Sequence, residues 1–180
     1  AAENYGPMYI RIPRSNVCDI FADDYEFDFC KARVLREGTD VTVVTNGETL
    51  AEVLQAAMIL EKEGYSIQVI HVPVVKPLDD ATIIEKAKQT KPLDFQTVID
   101  SVKKTKFAIT VENHSIIGGL GSAVCELLSY YYPMPVIRIG VNDTFGQSGK
   151  SEELLDYYGL SAEKLSKNIK KQIDRYRLVK

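Results

Sequence analysis

The feature that most constrains this chain is the alternation of short, almost wholly apolar runs with longer amphipathic ones. Val41, Val43 and Val44 form a brief strand-forming run that stops at Asn46-Gly47. Leu50, Val53, Leu54, Ala57, Met58 and Ile59 follow, close to the spacing of a helix with one buried face. Thr49, Leu50, Ala51 and Glu52 make a candidate capping box at its start, and Gly64 a candidate stop. Further strands are expected over residues 67–72, 107–111 and 136–139, and further helices over 122–131 and 161–178. Glu152 is placed to open a short helix between the last two. A strand that is apolar on both sides must be covered on both faces. The pattern therefore predicts an α/β three-layer sandwich around a mostly parallel five-stranded sheet. Residues 31–35 supply the antiparallel edge strand.

Composition excludes several alternatives. The 180 residues are 45% hydrophobic and 26% charged, the balance of a folded domain, not of a disordered chain or a rod. No run of about 18 apolar residues occurs, so no membrane span is expected. A net charge of -3 argues against nucleic acid as a partner. Cys18, Cys30 and Cys125 are widely spaced and odd in number, which fits a reducing cytoplasm and no metal site. The chain opens on Ala1 with no signal peptide pattern, and reads as a piece of a longer or split protein. Residues 8–12 carry strand formers ended by Pro13, and the acidic stretch 14–26 reads as a linker or a crossing segment, not as a core element.

One internal repeat stands out. Residues 76–90 read KPLDDATIIEKAKQT and residues 91–105 read KPLDFQTVIDSVKKT. We infer a tandem duplication of one capped helix, with Asp79 and Asp94 as N-caps and Pro92 preventing one continuous helix.

Chemistry-bearing residues concentrate after the 107–111 strand. Glu112, Asn113 and His114 precede the run Gly118, Gly119, Leu120, Gly121 and Ser122. In an open α/β sheet such loops lie at the carboxyl ends of strands, where ligands collect. Two readings stay open for Glu112, His114, Gly118, Gly119, Gly121 and Ser122: an anion-binding loop at a helix N-terminus, or close packing against the sheet or another subunit. The glycine spacing matches neither a dinucleotide fingerprint nor a Walker motif. Arg14, held by Pro13, is a candidate phosphate contact or else a surface ion-pair partner of Asp19 or Asp23. His71 reads as structural, Lys150 as a solvated cation, and the basic residues of 164–177 as an exposed helix face. No residue is assigned a catalytic role.

Taken in order, GPMYIRIPR, REGTDVTVVTNG, LAEVLQAA, KPLD, TVENHSIIGGLGSAV and MPVIRIGVNDTFGQSGKSEELLDYYGL resemble the C-terminal part of transketolases over nearly the whole chain. The resemblance implies residues 1–30 as the end of a pyrimidine-binding domain with its linker, and 31–180 as the C-terminal domain. It implies transfer of a two-carbon ketol unit between sugar phosphates, with thiamine diphosphate and magnesium held by N-terminal domains or a separate subunit. It gives this chain packing and dimer contacts, no activity alone, and Arg14 as a ligand of the substrate phosphate. A homodimer in the cytoplasm is expected. Similar domains occur in 1-deoxyxylulose-5-phosphate synthases and 2-oxoacid dehydrogenase beta subunits, and a non-enzymatic assembly or regulatory module is the further alternative. Family spacing places the 91–105 copy in the fold and makes 76–90 the extra one.

Overall fold

The structure is a computed structural model that describes residues 5–10, 12–13, 16–28, 31–75 and 95–179. The expected sandwich is present. β1 (Arg33–Arg36), β2 (Val41–Thr45), β3 (Ile67–His71), β4 (Ala108–Ser115) and β5 (Val136–Val141) form one sheet in the order β1-β3-β2-β4-β5. β1 pairs antiparallel with β3, and the other three pairings are parallel. Every residue of β2 is buried, as a central strand covered on both faces requires.

The pleat divides the apolar residues between two cores. Val41, Val43, Ile67, Val69, Ile109 and Val111 pack with α1 (Thr49–Lys62) and α5 (Ala162–Val179), through Leu50, Val53, Leu60, Leu165, Ile169 and Ile173. Val44, Ile70 and Ala108 pack with α2 (Phe95–Thr105) and α3 (Leu120–Tyr131), through Val98, Ile99, Val102, Leu120, Val124 and Leu128. The remaining helix, α4, spans Ser151–Tyr157. At the far edge Gly38 lies against β3. A Cβ there would stand 2.2 Å from the Gln68 amide nitrogen, so no side chain fits. None of the helices among the described residues is long and apolar enough to cross a membrane.

Several local expectations fail for identifiable reasons. Residues 8–10, 12 and 13 belong to no strand and are exposed, because among the described residues no other strand lies alongside to complete a ladder. The capping box at α1 does not form. The Thr49 hydroxyl donates back to the Asn46 carbonyl at 2.9 Å, while Glu52 accepts the Ala162 amide at 2.7 Å and caps α5 instead. Gly64, with φ of 85°, does terminate α1. Met58 is half exposed, and Ala56 takes the buried position expected of it. The basic face of α5 is tied down in part: Lys164 pairs with Asp156, Lys170 with Glu63 and Arg177 with Asp40. The acidic stretch crosses the fold and, against expectation, adds to the core. Ile20 and Phe21 pack on the first core, Phe21 stacks on Tyr25 with centroids 4.1 Å apart, and Arg33 lies over the Tyr25 ring. Cys30, Asp79, Pro92, Asp94 and the whole first repeat copy lie outside the described residues.

His71 ends β3 opposite Arg33 and Thr45, with its ring 5.6 Å from that of Phe21. Its buried Nδ1 has no hydrogen-bond partner among the described residues. Burial lowers its pKa from 6.5, so the unfolded chain takes up this proton first as the pH falls. The stabilisation is fully present above pH 6.5 and is lost as the pH drops from there through the lower folded-state value. Chemical denaturation at a series of pH values should therefore show stability declining below that point, and His71→Phe should remove this component of the slope.

Candidate functional site

The sheet order reverses at β2, which runs on to β3 on one side and neighbours β4 on the other. The carboxyl ends of β2 and β4 thus border the crevice where open α/β sheets place ligands. A crevice of about 1080 Å³ lies there. Asn46, Gly47 and Glu48 line it from the β2 side, and Glu112, Asn113, His114 and Gly118 to Leu120 from the β4 side. Gly149 and Lys150, just before α4, and Ser151 and Leu154 on it close the crevice, with Ile12, Pro13 and Val75 completing the wall.

Glu112 organises this wall. Its side chain is buried, and its carboxylate accepts the amides of Leu120 and Gly121, each at 2.7 Å. These are donors at the start of α3, so the carboxylate sits at the positive end of the helix dipole. Gly119 makes the approach possible. A Cβ on it would come within 1.9 Å of Glu112 Oε2. Gly121 is equally constrained, since a Cβ there would meet Arg138 Cγ and Thr110 Oγ1, both at 2.8 Å. Gly118 turns with φ of 77°, and its amide donates to Ser122 Oγ at 2.9 Å.

His114 is exposed in the crevice. Its Nδ1 lies 2.8 Å from the Ser115 carbonyl oxygen and 3.8 Å from Glu112 Oε2. A carbonyl can only accept, so Nδ1 carries the proton and Nε2 of the neutral ring is left as an acceptor. Asn113 donates to Glu48 Oε2 at 2.6 Å, joining the loops after β4 and β2. Lys150 is exposed beside Glu153. Cys125, on α3, is half-buried, and burial raises its thiol pKa against the opposing pull of Arg138.

The structure thus brings Glu112, His114, Gly118, Gly119, Gly121 and Ser122 together, while Arg14 lies outside the described residues. The wall formed by Asn46, Gly47 and Glu48 is an addition. Its sequence signal was the Asn-Gly turn directly after a buried parallel strand.

The model of the family described as "Transketolase, C-terminal domain" matches residues 30–91 and again residues 87–165. This chain belongs to that family. The two matched segments overlap inside the repeated KPLD stretch. A transketolase C-terminal section of Methanocaldococcus jannaschii is 38% identical over 97% of this chain and 50% of its own length. An apulose-4-phosphate transketolase subunit of Phocaeicola vulgatus is 36% identical over 89% of this chain and 47% of its own. A solved split-gene transketolase, described as an inactive beta4 tetramer, superimposes with a TM-score of 0.76 at 38% identity, over 89% of this chain and 48% of that one. The chain therefore spans about half the length of these relatives.

Transketolase chemistry implies thiamine diphosphate and a metal ion. The residues of this crevice do not fit that group. The amides at the start of α3 that a diphosphate would use are taken by Glu112, whose negative charge also opposes a second anion. Among the described residues, no group of three or more His, Cys, Asp or Glu side chains is placed to hold a metal.

The contact between Glu112 and Gly119 yields a double-mutant test. Glu112→Ala leaves two helix donors unpaired and should cost about 2 kcal/mol. Gly119→Ala forces the carboxylate aside and should cost about 2–3 kcal/mol. In denaturant titrations the double variant should fall short of the sum by about 1 kcal/mol or more, because the tightest clash of Gly119→Ala is with the carboxylate, and only the 2.9 Å approach to His114 Nδ1 survives its removal.

Proposed function

We propose that this chain is the C-terminal portion of a transketolase-type enzyme that moves a two-carbon ketol unit between sugar phosphates. In this reading residues 31–180 form the C-terminal domain, and residues 1–30 end a pyrimidine-binding domain and link the two. Thiamine diphosphate and magnesium are held by N-terminal domains or a partner subunit. The chain itself provides scaffold and subunit contacts, a homodimer among them, in the cytoplasm. The observation that carries the reading is that a chain of this family spans half of relatives named as transketolase sections and subunits. The exposed segment holding Tyr9, Ile10 and Ile12 supports it, because strand formers with no ladder here are what the last strand of a missing sheet would leave.

A second reading has its own support. A 1-deoxy-D-xylulose-5-phosphate synthase of Carboxydothermus hydrogenoformans is 36% identical over 92% of this chain, though over only 24% of its own length. The same domain would then serve an enzyme with a different donor substrate.

Two measurements test the leading reading. Calorimetric titration of the chain with thiamine diphosphate and magnesium should show no saturable heat, and a clear saturable isotherm would overturn the assignment of the cofactor to a partner. Mixing the chain with the matching N-terminal subunit should produce ketol transfer that neither component shows alone. In that mixture Arg14→Ala should lower kcat/KM for phosphorylated sugars by roughly 10–100-fold, the loss of one charge-assisted contact.

A further inference from the structure

α2 fills a defined groove against β2, β3 and α3. Val98, Ile99, Ser101, Val102 and Thr105 are its buried residues, and Val102 is wholly inaccessible to solvent. Thr105 Oγ1 lies 2.7 Å from Thr42 Oγ1, which also approaches the Ser101 carbonyl oxygen at 3.2 Å. The helix ends at Lys106, whose φ of 62° turns the chain into buried Phe107.

The repeat offers the same groove a second sequence. Shifted by 15 residues, the positions of Val98, Ile99, Ser101, Val102 and Thr105 correspond to Ile83, Ile84, Lys86, Ala87 and Thr90. Three of the five suit the groove: two branched apolar residues and the threonine that would meet Thr42. Two do not. Lys86 would bring an ammonium to a position where Ser101 is only 6% exposed, and Ala87 would leave a void where Val102 fills space. The exit also differs. Lys106 is followed by Phe107, but its counterpart Lys91 is followed by Pro92, which drives the preceding residue toward extended backbone and away from a positive φ.

We propose that this groove accepts either copy of the duplicated helix, and that Ser101, Val102 and the Lys106-Phe107 exit assign it to the second. The extra copy then adds length to the connection between β3 and α2 and leaves β4, and with it the Glu112 wall, in place. The duplication is tolerated because the two helices compete for one socket and one of them loses.

Two deletions in the chain as it stands separate the determinants. Deleting 76–90 removes the losing copy and should leave the thermal midpoint at or above that of the full chain. Deleting 91–105 joins Thr90 directly to Lys106-Phe107, so the exit is kept and the first copy is placed in the groove. That variant should melt several degrees lower, and Lys86→Ser with Ala87→Val should restore the midpoint. In the repaired variant, hydrogen exchange should show residues 80–90 protected to the degree that 95–105 are in the full chain. Failure of the repaired variant to fold, or protection absent from 80–90, would show that the groove does not accept the first copy. Equal midpoints for the two unrepaired deletions would show that Ser101 and Val102 do not decide the choice.

Discussion

The wall of the crevice depends on one buried carboxylate. Removing Glu112 from water costs several kcal/mol unless its oxygens are matched by donors. Here two amides from the start of α3 meet it at 2.7 Å, and the helix dipole adds a favourable field. The match fixes the end of β4 against the start of α3, and through them the position of His114. It also explains the composition of the loop. Gly119 is required by the carboxylate and Gly121 by the sheet beneath, so two of the three glycines serve close approach and only Gly118 serves a turn. Of the donors at this helix start, the amides of Leu120 and Gly121 are met from within the chain by the Glu112 carboxylate.

Most of the architecture was legible because it rests on local period and on length. The five strands, the antiparallel edge and the buried faces of α1, α3 and α5 follow from runs such as Val41–Val44 and from the four-residue spacing of Leu165, Ile169 and Ile173. What the pattern could not supply were contacts set by tertiary geometry. Glu52 carries the signature of a local cap, yet Ala162, 110 positions away, offers it a helix start that needs one. Ile20 and Phe21 lie in an acidic stretch, and only the fold shows that they reach the core. Within the site, Glu112 and the glycines were visible as a cluster. Their division of labour was not, because donor and acceptor stand eight and nine residues apart across a strand-to-helix turn. The link from Asn113 to Glu48 was hidden for the same reason, since it joins two connections that meet only once β2 and β4 are paired.

The same distinction governs the repeat. By composition the two copies are near equivalents, with matching lysines, a shared isoleucine and matching threonines. Inside the groove they differ at the positions the sheet inspects. Under the proposed competition, selection by packing therefore acts on a residue or two, and the capping and charge pattern that the copies share carries little of the decision.

The crevice itself is assembled from parts of unequal independence. The loops after β2 and β4 are joined by the contact between Asn113 and Glu48, and the start of α4 lies across the crevice from them. Ile12 and Pro13 complete the wall from a segment that pairs with no strand among the described residues. Under the proposed function that segment belongs to a neighbouring sheet, and pairing there would set where Ile12 and Pro13 stand. The shape of the crevice would then be a property of the junction between two domains, with the C-terminal one contributing the rigid side. On that reading the sandwich folds as a unit while one side of the crevice is set by what packs beside it.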